Sequence, residues 1–208
     1  MKTWDSFYPF VLIEAPGAAY PLINQKLCLA AREFCLRTAA WTAWTDPIQA
    51  TVTTGEVFDF DIESGAELVK VVRATIGAHP DVLEIPVLTD DREPSVWHQN
   101  PHKQCVVHEQ GNDEFKLFVR QLGNPVNLLL AFKPMLTATG CGDVLVDRYA
   151  DKIALGAKAL LQMTPGYTFT NPGLAAENKA LFEQAIHEAA NETFRRRTNK
   201  RTAKVSIS

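Results

Sequence analysis

The sequence predicts an α+β fold: a bundle of three long helices, one N-terminal and two C-terminal, with an inserted antiparallel β-domain and an extended C-terminal tail. Three observations carry that expectation. Apolar residues recur at three- and four-residue steps over 21–44, 143–163 and 174–197, the period of a helix with one buried face. Between 48 and 135 the period drops to two, and β-branched and aromatic residues gather in short runs, as strands require. Strands do not alternate with helices along the chain, which argues against a doubly wound parallel sheet. The expected division is 1–47 with 141–198 as the bundle, 48–140 as the inserted β-rich domain, and 199–208 as the tail.

The first stretch, Trp4 to Tyr20, is aromatic and apolar, with Pro16-Gly17 closing it. It suits a short helix or an extended arm packed over the next element, with an arm reaching a neighbouring subunit as the alternative. From Pro21 to Trp44 a helix is expected. Leu22, Ile23, Leu27, Ala30, Ala31, Phe34, Thr38 and Trp41 form its stripe, and Asp46-Pro47 stops it. The middle then offers VFDFDI, ELVKVVRATI, a short run near 82–85, a hairpin signal around Gly111-Asn112-Asp113, and the apolar run PVNLLLAF. LTATGCG is expected as a loop into the C-terminal pair. There, Leu145, Tyr149, Ile153, Ala157, Leu160 and Leu161 mark one helix face. Leu174, Leu181, Phe182, Ala185, Ile186 and Ala189 mark the next. Between these helices lies a Pro165-Gly166 turn. Asn171 is placed to cap the second helix and Pro172 to open it.

Composition sets further bounds. At 208 residues with 46% hydrophobic content and a net charge of −3, the chain can fill one substantial core or two small ones. No stretch has the apolar length of a membrane span, so no membrane partner is expected. The N-terminus has Lys2 as its only basic residue before Asp5, a poor match to a secretory leader. Cys28, Cys35, Cys105 and Cys141 have no metal-type spacing and suggest reduced, buried thiols in a cytoplasmic setting.

Chemistry-bearing patterns are weak. His98 and His102 flank Pro101, which argues against the helical pair that zinc sites use. Cys105 and His108 lie three apart in a strand-like run, hence on opposite faces, with no third orienting group. The acidic run 89–93 lacks the alternate-position spacing of a calcium loop. Asp59 and Asp61 alternate with apolar residues and should face outward. Gly140, Gly142 and Asp143 fit neither a GxxxxGK nor a GxGxxG pattern. No catalytic residue, cofactor or metal is therefore assigned. The strongest charge feature is the C-terminal run Arg195, Arg196, Arg197, Lys200, Arg201 and Lys204, followed by the alternating Val205 and Ile207. Three readings compete for it: a solvated helix end, a contact to nucleic-acid phosphates, and a basic arm whose apolar end docks on a partner.

Two stretches carry a likeness to a known family. WDSFYPFVLIEAPGAAYPLINQKLCLAAREFCLRTAAW combines an apolar lead-in, a proline-bearing break and an LxxAAxEFCxRT helix ending in Trp41. DRYADKIALGAKALLQMTPGYTFTNPGLAAENKALFEQAI combines an internal Gly156-Ala157, the Pro-Gly turn, Asn171-Pro172 and an Ala-rich helix. With its strand-rich middle, the chain resembles the head-to-tail adaptor (connector) proteins of short-tailed bacteriophages, the tail tubular A-like proteins. The resemblance implies a non-enzymatic virion protein, made in the host cytoplasm and placed in the neck between capsid and tail. It implies a homo-oligomeric ring, usually of twelve copies, bound to the portal protein and to the tail nozzle. Genomic DNA would pass through the ring without sequence-specific binding during ejection. Portal binding would fall to Arg195, Arg196, Arg197, Lys200, Arg201, Lys204, Val205 and Ile207. Other expectations stay open: a different neck or tail completion component, a small metal-dependent hydrolase built on the histidine loop, and a DNA-binding module.

Overall fold

The computed structural model describes residues 1–53, 55–77, 82–88, 104–108 and 114–199. Among them the chain forms four α-helices and ten strands, and the strands fall into three sheets. It divides into two compact units, Met1–Trp41 with Lys133–Ser208, and Thr42–Phe132.

The first unit opens with β1 (Lys2–Thr3), a 3-10 turn (Trp4–Phe7) and the short helix α1 (Tyr8–Val11). Trp4, Phe7, Val11 and Ala15 are buried, so this lead-in is a packed layer. Helix α2 (Tyr20–Thr38) has Pro21 in its first turn, where a missing N–H leaves no bond unmade. Its buried stripe is Ile23, Leu27, Ala30, Ala31, Phe34 and Cys35. The helix ends because Ala39 turns left-handed, at φ 49° and ψ 42°, while its N–H still donates to the Cys35 carbonyl at 2.8 Å. Thr38 assists: its hydroxyl donates to the Phe34 carbonyl at 2.7 Å and accepts from the Ala40 N–H at 3.2 Å. Helix α3 (Asp143–Gln162) and helix α4 (Pro172–Asn199) complete the unit. They run antiparallel, with Lys152 on Glu188 and Tyr149 on Glu192, each at 3.3 Å. Asn171 caps α4, its side-chain oxygen accepting from the Leu174 N–H at 3.1 Å. Phe34 meets Tyr149 at 5.2 Å and Phe182 at 6.3 Å between ring centroids, aromatic contacts that add to the burial of their area.

The second unit holds two four-stranded sheets among the described residues. One runs β2 (Trp41–Trp44), β9 (Val126–Pro134), β4 (Ala66–Ile76) and β5 (Leu83–Ile85). The other runs β3 (Glu56–Asp59), β8 (Glu114–Phe118), β7 (Cys105–His108) and β6 (Val87–Leu88). β3, β8 and β7 pair antiparallel, and Phe115 stacks on Phe58 at 5.5 Å and meets Phe60 in a tilted contact at 4.7 Å.

The expected architecture needs correction. The chain is α+β, but it is not a bundle of three long helices with one inserted antiparallel β-domain. Among the described residues there are four helices, of which only two are C-terminal, and three sheets. The lead-in adds a helical layer against α3, since its apolar side chains are too dense to stay in solvent. The helix expected over 21–44 stops at Thr38, and Trp41–Trp44 is a strand. The loop expected at 136–142 contains β10 (Gly140–Cys141), which pairs antiparallel with β1. β6 and β7 pair in parallel, so the β-region is mixed. Asn199, the first residue of the expected tail, is helical, and 200–208 lie outside the described residues.

Polar contacts tie the lead-in down. The Trp4 indole N–H donates to the Ala138 carbonyl at 2.8 Å. The Met1 ammonium sits 3.4 Å from Asp143, and Lys2 pairs with Asp147. The strongest tie is Glu14. Its carboxylate accepts from Lys158 Nζ at 2.6 Å, Asn178 Nδ2 at 2.7 Å and Gln162 Nε2 at 3.1 Å. Asn178 and Gln162 are buried and also bond each other at 2.9 Å. Burial pushes the Glu14 pKa up, but the donors from Lys158, Asn178 and Gln162 outweigh it and hold the group below the ordinary 4.5.

Two predictions follow from these contacts. A Cβ at Gly140 would lie 2.1 Å from the Lys2 carbonyl oxygen, a backbone atom that cannot step aside. Gly140→Ala should therefore part β1 from β10, and hydrogen exchange in β1 and β10 should accelerate at least tenfold while the β3–β8 amides stay unchanged. Glu14 binds its proton less readily folded than unfolded, so its stabilisation is complete above pH 4.5 and is lost as pH falls through the lowered folded value. Glu14→Gln should cost about 2 kcal/mol at pH 7, because Lys158 is left nearly buried without a counter-charge. Urea titrations at pH 7 and pH 3 should show that cost shrinking in acid; an equal loss at both would count against the tie.

Candidate docking surface

Two surfaces of the helical unit could meet a partner. The first is the basic end of α4. Arg195 and Arg196 are exposed on its last turns, and Arg196 pairs with Glu192 one turn back. Arg197 lies in the same helix. Lys200, Arg201, Lys204, Val205 and Ile207 lie outside the described residues. Placing guanidinium groups here suits the negative end of the helix dipole, so part of this charge serves the helix itself. Phe194, beside them, is 67% exposed, an apolar side chain in a basic setting that a solvated helix end does not need.

The second surface is a groove of about 490 Å³ lined by α2, α3 and α4. Gly156 sets its depth. A Cβ there would meet Phe182 at 2.9 Å and Ala30 at 3.0 Å, so glycine lets the α4 aromatic ring lie against α3. Ala159, Ala175 and Ala176 keep the walls low, while Leu160 and Met163 stand at the rim, 38% and 62% exposed. One wall is polar. Arg37 clamps Glu183 with two hydrogen bonds of 2.9 and 2.6 Å and reaches Glu33 at 3.2 Å. The stripe reading of α3 and α4 placed Leu160 and Leu181 on the buried face, yet both are substantially exposed. Periodicity says which residues share a face; it does not say that a neighbour covers that face's edges.

The remaining candidates do not assemble into a reaction centre among the described residues. His79, His98, His102 and the acidic run 89–93 lie outside those residues. His108 is the last residue of β7, and His187 is exposed on α4. Asp59 and Asp61 are both exposed. Gly140 and Gly142 serve packing: a Cβ at Gly142 would stand 2.5 Å from the Trp41 ring. No three His, Cys, Asp or Glu side chains among the described residues are grouped to hold a metal ion, and no helix there is long and apolar enough to cross a membrane. All four cysteines are buried. Cys28 donates to the Met135 carbonyl at 3.2 Å. Burial raises every one of these thiols, Cys105 to about 11 and Cys141 to about 12, far from the lowered values that reactive cysteines show.

A thiol titration checks this directly. At pH 8 the native chain should react with Ellman's reagent at none of its cysteines on the minute scale, and at four after guanidinium unfolding. A fast-reacting thiol in the native protein would reopen a cysteine chemistry.

In sequence, the chain matches no protein-family model and no curated protein.

Proposed function

We propose that this chain is a structural virion protein: a ring-forming adaptor between portal and tail that extends the DNA channel and offers the tail nozzle a platform. One observation carries the reading. The two sequence stretches that resemble the phage adaptors, 4–41 and 147–186, fall in the same compact unit. There they contact each other through Phe34 and Phe182, Arg37 and Glu183, and Glu14 and Lys158. In this chain the two stretches are two halves of one packing arrangement, which supports reading them together. The basic end of α4, with exposed Phe194 beside Arg195 and Arg196, supports a docking role for the C-terminal segment. A DNA-binding module is the second reading, favoured by those same arginines.

The test uses the purified chain and a portal ring of a short-tailed phage. Electron microscopy of the mixture should show a ring of copies seated on the portal; a portal and a tail ring that both stay bare would overturn the proposal. Removing 201–208 should leave the melting temperature within about 2 °C of the parent and weaken portal attachment at least tenfold. Arg195→Ala with Arg196→Ala and Arg197→Ala separates the second reading. If DNA retention at low salt is the function, it should fall steeply in this variant and portal attachment should not matter.

A further inference from the structure

We draw no further inference here: the strongest candidate, the apolar groove of about 490 Å³ lined by α2, α3 and α4, has a rim whose acidic groups are already clamped by Arg37, and nothing in the structure shows what covers it.

Discussion

One carboxylate joins three distant stretches of this sequence. Glu14 belongs to the lead-in, Lys158 and Gln162 to α3, and Asn178 to α4. Holding a half-buried ion pair against two buried amides would be costly if any of the four went unpaired. Here each has a partner, so the cluster acts as a register pin: the lead-in can lie along the C-terminal helices in one position only. The apolar layer of Trp4, Phe7, Val11 and Ala15 supplies most of the binding energy but little direction, since greasy surfaces slide. Polar satisfaction supplies the direction. β1 on β10 and the indole of Trp4 on Ala138 then follow from a lead-in already placed.

Much of the local structure was legible because it rests on local signals. Pro21, Asn171 and Pro172 announce helix starts through backbone chemistry, and Phe34, Ile153 and Phe182 announce buried faces through spacing. The antiparallel pairing of β7 and β8 showed in two β-type runs on either side of Gly111-Asn112-Asp113, which lie outside the described residues. What stayed hidden depends on partners far away in the chain. Trp41 extends the helical period by one step, yet it serves a strand, since Ala39 takes up the left-handed backbone that ends the helix. Nothing in the composition of Ala39 signals this; alanine is the best helix former. β10 is two residues long, and only its pairing with Lys2 and Thr3 makes it a strand. Parallel pairing of Val87 and Leu88 with Val106 and Val107 likewise has no local signature. The expected three-helix bundle failed for this reason: counting periodic segments cannot count the short elements that pack beside them.

The candidate surface was legible only in part. Charge is visible in any sequence, so Arg195, Arg196 and Arg197 stood out. The groove was not, because it is made by what is missing. Gly156 reads as a weak point in a helix, but its bare backbone admits Phe182, and three alanines leave a trough beside it. Small residues carry little periodic signal, and their effect appears only when a second helix is brought up against them.

The order of the two units along the chain has a consequence for synthesis. The strand-rich unit is contiguous, Thr42–Phe132, while the helical unit draws on residues before and after it. On a ribosome adding about 5–20 residues per second, the lead-in and α2 emerge and then wait roughly 7 to 30 seconds for all the partners of Phe34 and Glu14 to be made. During that interval the apolar stripe of α2 is uncovered, a natural client for a nascent-chain chaperone. The helical unit can close only after α3 and α4 have been made.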